Sequence, residues 1–224
     1  MTIPAITFGA GVTGFGAIDG FELQGSGSNV IYDRAVVLGT GGNEINQKLF
    51  NARTEVTATY KADLSGSVPT LPLILGALVN SLILTGINLN TINNDFATMT
   101  LTGHNHTANA HVATPLNVVT HGYTLTDGFG VTDFLGGTAG DNASPISGSI
   151  NIVCDHVDRL DESGDHLIGQ NFNARAEATT TWAGVPGTAS ATFDEVSVET
   201  NQQNVDFLET VVNGVDGLTM AAAA

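Results

Sequence analysis

Cysteine is almost missing from this 224-residue chain: Cys154 stands alone. No intrachain disulfide can form, and no multi-cysteine metal site exists. Basic side chains are nearly as scarce, with 6 Lys and Arg against 22 Asp and Glu and a formal net charge of −16. A surface of that sign does not seek nucleic acid, anionic membranes or other polyanions. Aromatic residues make up 6% of the chain, with one Trp and three Tyr, few for a carbohydrate-binding surface. Long apolar runs are absent too. The most apolar stretch, Val68–Leu84, covers 17 residues and is broken by Pro69, Pro72, Gly76, Asn80 and Ser81, too short and interrupted for a transmembrane span. The start, Met1-Thr2-Ile3-Pro4, lacks the basic region and apolar core of a secretory leader. These absences lead to the expectation of a soluble product of a reducing cytoplasm. No nucleophile elbow, phosphate loop or cysteine paired with histidine is visible.

What the chain has in abundance is Thr (28), Gly (27) and Asn (19), a composition that favours strands and turns. It also repeats itself. Residues 31–60 align without gaps on 153–182 at a constant offset of 122, with ten identities in thirty positions. Phe50-Asn51-Ala52-Arg53 recurs as Phe172-Asn173-Ala174-Arg175, and Glu55, Thr57 and Thr59 recur as Glu177, Thr179 and Thr181. Asp33, Leu38 and Gly42 fall on Asp155, Leu160 and Gly164. A second block, Asn90, Asn93, Asp95 and Phe96, matches Asn201, Asn204, Asp206 and Phe207 at offset 111. The order of the blocks is kept, which points to duplication.

Each first block reads as a long β-hairpin. Asn29–Leu38 turns through Gly39–Asn43 into Glu44–Ala62, and Ile150–Leu160 turns through Asp161–Asp165 into His166–Gly184. Gly with Asn or Asp at the tips supplies the positive φ such loops need. Glu55, Thr57 and Thr59 alternate with Val56, Ala58 and Tyr60, which puts polar side chains on one face and apolar ones on the other. The expected organisation is a Gly-rich arm (1–28), a first β unit (29–127), a Gly-rich linker (128–149) and a second β unit (150–224). Leu71–Leu84 is expected to be a short helix from Pro72, with strand as the alternative. Residues 96–103 and 111–126 alternate like strands, and 203–212 reads as helix or strand. The four closing alanines read as a frayed end or an arm docked on a neighbour. The fold class is all-β or β-rich, with one or two short helices.

Four features carry some flavour of chemistry. His104 and His106 share a face on a strand, and His111 and His121 follow, so a metal site is conceivable. The Asn- and Thr-rich surroundings favour solvated or interface histidines. Asp158 to Asp165 has the acid density of a calcium loop without the EF-hand order of ligands, and a hairpin tip explains it. Gly9 to Gly16 resembles a dinucleotide loop in glycine count only. Arg53/Glu55 and Arg175/Glu177 sit at i, i+2 on strands and suit structural ion pairs. At this level no residue is assigned a catalytic, cofactor-binding or metal-ligating role, and no enzyme is expected.

The Asn-Ala-Arg-x-Glu-x-Thr hairpins and the Asn-x-Asp-Phe block resemble virion proteins of the phage and prophage tail tube type, over residues 31–62, 87–103, 150–184 and 195–212. The resemblance implies a β-sandwich or incomplete barrel with a flanking helix, and long hairpins that build the inner wall of stacked rings. A chain with two such units would form a trimeric, pseudo-hexameric ring; a hexameric ring is the other stoichiometry the family suggests. The implied partners are further copies of the chain, other tail or connector proteins, and DNA that passes through without specific binding; no membrane is implied. The implied location is the virion, after synthesis in a bacterial cytoplasm. The alternative reading is a β-rich binding module such as a capsid decoration protein or an adhesin. An enzyme built on His104–His121 is a third.

Overall fold

The computed structural model describes residues 15–63, 74–76, 78–79, 82–106, 117–123, 125, 130, 143–186, 193–201 and 208–222. Twelve strands occur in chain order: β1 (Phe21–Leu38), β2 (Glu44–Ala62), β3 (Ile74–Leu75), β4 (Leu78–Val79), β5 (Leu82–Ile92), β6 (Asp95–Asn105), β7 (Asn117–Thr120), β8 (Ser144–Leu160), β9 (His166–Ala183), β10 (Asp194–Asn201), β11 (Glu209–Gly217) and β12 (Met220–Ala222). The main sheet runs β1-β2-β6-β5-β8-β9-β11-β10, with β4 paired to β5, and a small sheet runs β12-β7-β3. Every pairing is antiparallel.

The period-two alternation carries straight through. Glu22, Lys61, Thr98, Asn90, Ser149, Thr179, Asn213 and Ser197 lie opposite one another in one row across all eight strands. The next row is Leu23, Tyr60, Met99, Leu89, Ile150, Ala178 and Gly214. One face of the sheet is therefore polar and the other apolar. Tyr60, Met99, Leu101, Ile87, Leu89, Ile150 and Ile152 on the apolar face are fully buried, under Phe15, Leu75, Val119, Leu125 and Phe193. The polar face carries an open concavity lined by Thr98, Ser149, Thr179 and Thr181.

The two halves repeat each other in strand order, β1-β2-β6-β5 and then β8-β9-β11-β10. They repeat in register as well. Lys61 faces Thr98 as Ala183 faces Glu209, and Asn88 faces Thr100 as Glu199 faces Val211. Among the described residues Asn51 and Asn173 alone have positive φ without being glycine, 50° in both. Each donates its side-chain amide to an aspartate across the hairpin, Asn51 to Asp33 (2.7 Å) and Asn173 to Asp155 (2.8 Å). Asparagine tolerates this backbone better than other side chains, so the repeated Phe-Asn-Ala-Arg marks a repeated irregularity in the ladder. It lies beside the register shifts at Ile31/Asp33 and Val153/Asp155.

Several expectations are corrected. No helix occurs among the described residues, and none there is long and apolar enough to cross a membrane. The described parts of Leu71–Leu84 are strands, because Leu82, Ile83 and Leu84 are all buried and Gly76 turns the chain at φ 81°. The first strand starts at Phe21 and the second half at Ser144, inside the expected arm and linker. Small Ser and Gly residues at both starts hide the strand signal. Met220–Ala222 pairs with β7 of the same chain rather than fraying. The expected strand at 111–126 is described as strand only over Asn117–Thr120, and the 203–212 segment is strand from Glu209.

Candidate functional site

Where the second hairpin leaves the sheet, it brings together side chains from three strands. β6 supplies His104 and, just past its end, His106, and both are buried, which overturns the reading of solvated histidines. Their rings stand edge to face with centroids 5.1 Å apart. β8 supplies His156 and Asp158, whose i, i+2 spacing sends both side chains one way. β9 supplies His166, which faces Leu160 in the ladder. The Nε2 atoms of His156, His166 and His106 lie 2.9, 3.0 and 3.4 Å from one oxygen, Oδ1 of Asp158. His106 stacks on His166 at 3.8 Å, and His104 lies 4.9 Å from His156.

A layer of amides orients this group. His156 Nδ1 lies 2.7 Å from Oδ1 of Asn171. The Asn171 side chain donates its NH2 to the Asn117 carbonyl (2.8 Å), and Asn117 donates its own to the Asn171 carbonyl (2.7 Å). Two glycines make the space. A Cβ on Gly76 would overlap the Asn171 amide, and one on Gly169 would stand 2.5 Å from His156 Cε1.

Electrostatics divide the histidines. Burial, reinforced by the neighbouring His156 and His106, pushes His104 down to about 3, so it is neutral at pH 7. Burial also lowers His166, with His106 adding to the effect. Burial opposes protonation of His156 as well, but its bonds to Asp158 and Asn171 outweigh this and raise it. Burial would raise Asp158, yet hydrogen bonds from His106 and His156 prevail and hold its carboxyl well below the usual carboxylate range.

The remaining sequence candidates separate from this cluster. His121 stacks on Tyr123 at 5.7 Å, and the Tyr123 hydroxyl donates to Asp216. His111 and Gly9–Gly14 lie outside the described residues. The acidic run is split: Asp158 faces the histidines, while Asp161 Oδ1 accepts the backbone N–H of Ser163 (2.8 Å) and Asp165 (2.9 Å) at the hairpin tip. Arg53 and Arg175 donate through Nε to Glu55 (3.2 Å) and Glu177 (2.7 Å), the expected pairs within one chain. Such exposed pairs contribute little to stability. The signal that would have found the cluster is hairpin register, since His156-x-Asp158 and His166 flank the Asp161–Asp165 turn on opposing strands.

Cys154 is buried on β8, and its thiol donates to the Thr85 carbonyl at 3.9 Å. Burial, with the charge of Asp155 added, pushes it up to about 11. A thiol-titrating disulfide reagent at pH 7 is therefore expected to leave the folded chain unmodified over a period in which the unfolded chain reacts fully. No known family model and no curated protein sequence matches the chain.

Proposed function

We propose that this chain is a structural virion protein that joins copies of itself head to tail into rings, the rings stacking into a phage tail tube or a closely related tail or connector piece. One observation carries the reading. The two halves of the chain meet by antiparallel pairing of β5 with β8. The strands at the open edges of the sheet are their counterparts, β10 for β5 and β1 for β8. One copy's β10 and the next copy's β1 can thus repeat between chains the seam already present within one. Carrying over the internal register, Gly86 opposite Val153 through Asn90 opposite Ser149, sets Val198 opposite Val30 and Glu199 opposite Asn29 of the neighbour. Exposed edges of this kind are natural pairing surfaces.

The hairpin tips support the same arrangement. Within the chain the Gly164 carbonyl accepts the backbone N–H of Asn51 at 2.9 Å, and the tip lies against Phe50. The counterparts, Gly42 and Asn173, have no such contact within the chain, and Phe172 is 45% exposed. In a ring the next copy's Gly42 tip would cover Phe172. Val37, Leu38 and Ile45, exposed on the first hairpin, would gain cover too.

Three copies would give six quasi-equivalent units and a closed wall of twenty-four strands, eight from each chain. The polar face carries threonines, asparagines and the Arg53–Glu55 and Arg175–Glu177 pairs. Turned toward the axis, it would offer no excess of positive charge to phosphate, and three chains at −16 each carry −48 by formal count. DNA would pass without being held. Negative-stain electron microscopy with mass determination in solution tests this reading. Rings or tubes with a central channel and a threefold chain mass are expected. A monomer that stays monomeric at high concentration in every salt contradicts it and favours a β-rich binding module; closed trimers without a channel favour a head decoration protein.

A further inference from the structure

We infer that the histidine cluster is a proton-operated latch: near neutral pH it holds the outer part of the second hairpin against the end of β6, and acid releases that part while the rest of the sheet stays folded. The outer part has little else to hold it. β5 pairs with β8 only as far as Val153, and β11 pairs with β9 only as far as Arg175. From Asp155 to Phe172, among the described residues, the two strands pair in the ladder with each other alone. A lone two-stranded ribbon is marginally stable in water. Its outer face is bare, with Val157, Leu167 and Phe172 exposed. Besides the histidines, the Asn117–Asn171 amides and the bond from Asn51 to the Gly164 carbonyl tie it down. The register shift at Val153/Asp155 and the positive φ of Asn173 mark the pivot.

The cluster has room for one positive charge. The Asn171 NH2 is engaged by the Asn117 carbonyl, so its oxygen accepts from His156 Nδ1, while Asp158 Oδ1 accepts from Nε2 of the same ring at 2.9 Å. With hydrogen on both nitrogens, His156 is an imidazolium, and Asp158 balances it. The groups that face this pair are His104 and His106 from β6 and His166 from β9. β7 presents the Asn117 amide, and Asp33 on β1 senses the Asp158 charge. No second carboxylate is present in the cluster. His106 and His166 are stacked at 3.8 Å, so a proton on each would set two like charges face to face. His104 Nε2 is buried without a hydrogen-bond partner among the described residues, so its N–H would go unmet.

The direction of the pH effect follows from which form each ring keeps when docked. A ring held neutral by burial contributes stability that is complete above its ordinary value of 6.5 and drains away as pH falls toward its docked value, about 3 for His104. Burial moves His166 the same way. Hydrogen bonds raise His156, so its contribution is complete below 6.5 and is lost as pH rises through its docked value. Asp158 lies well below its ordinary 3.8 and stays charged throughout this window. Docking is therefore tightest near pH 6.5. The repeat supplies a control. The counterparts of His156, Asp158 and His166 in the first hairpin are Arg34, Val36 and Glu44, with Arg34 donating to Glu44, and no histidine lies between Asp33 and Asn51.

Amide hydrogen exchange on the full chain, corrected for the intrinsic exchange rate, tests this. Between pH 6 and pH 4 the open fraction of 155–172 is expected to rise about 50- to 100-fold through His104 alone, and further through His166. Residues 33–50 and strands β5 and β6 are expected to show no such rise. His104→Gln with His166→Gln is expected to lose most of the dependence, and His121→Gln to keep it. Imidazole nitrogen shifts at pH 6.5 are expected to show His156 doubly protonated and His104 neutral. Protection of 155–172 that is unchanged from pH 6 to pH 4, or that falls only in step with β5 and β6, overturns the inference. So does a neutral His156 or a protonated His104 at pH 6.5, or the wild-type dependence in a folded double variant. The wild-type readouts decide the matter even where a variant fails to fold.

Discussion

Of two adjacent substitutions on β10, Val198→Pro and Glu199→Pro, one is expected to abolish ring formation in a chain that stays folded, and the other to damage the fold. In an antiparallel strand each residue directs its N–H and C=O to the same side, and successive residues alternate sides. Val198 faces Val212 and Glu199 faces Val211 with no irregularity between them. One of the two N–H groups therefore bonds to β11, and the other points out from the edge. Proline removes an N–H and is tolerated only where that group has no ladder partner. The outward position would lose only the bond proposed to a neighbouring copy, and the chain is expected to run as a folded monomer at concentrations where the proposed rings would form. The inward position loses a ladder hydrogen bond and leaves its β11 partner unsatisfied, at an expected cost of about 1–3 kcal/mol. Circular dichroism and light scattering on both variants check this. If both variants still assemble, β10 is not the joining edge.

The second large effect is at Tyr60. Its ring is fully buried on the apolar face, and its hydroxyl donates to the Gly16 carbonyl at 3.0 Å. It thereby fixes the segment that carries Phe15 over Gly103, where a Cβ would overlap the Ile83 carbonyl. Tyr60→Ala is expected to lower unfolding free energy by about 3–5 kcal/mol, the range for emptying a buried aromatic site. Tyr60→Phe is expected to lose about 1 kcal/mol with the hydrogen bond. Trp182 is the counterpart in the second half and is equally enclosed, so Trp182→Ala is expected to match Tyr60→Ala. Urea unfolding of the three variants measures this. A loss below about 1 kcal/mol for Tyr60→Ala would mean that the apolar face is not the core.

The hairpins were legible because their residues state their geometry. Gly39–Asn43 and Asp161–Asp165 are turn sequences, and the alternation from Glu55 to Tyr60 has period two. Ser144–Ser149 was not legible as strand because Ser, Gly and Pro carry little strand preference, and the register with β5 decides their state. Leu71–Leu84 suggested a helix because Leu82–Leu84 is buried on both faces, and a continuous apolar run has no period to read. The histidine cluster was half visible. His104 and His106 are neighbours in sequence, but His156, Asp158 and His166 come from the other half and meet them only once β8 and β9 extend past β5, which stands between β8 and β6 in the sheet.

The central claim is that the seam between copies repeats the seam within one, and cysteine cross-linking tests it most directly. Val30→Cys with Val198→Cys leaves the buried Cys154 as the one other thiol. Paired as proposed, the two new cysteines would have Cα atoms about 4.5–5.5 Å apart, inside the range a disulfide bridges. Within one chain they sit on opposite edges of an eight-strand path and cannot meet. Mild oxidation of the assembled protein is predicted to give a ladder of covalent oligomers that ends in a closed species, with each single variant giving none. Only monomers after oxidation, or a cross-link within one chain, would contradict the account.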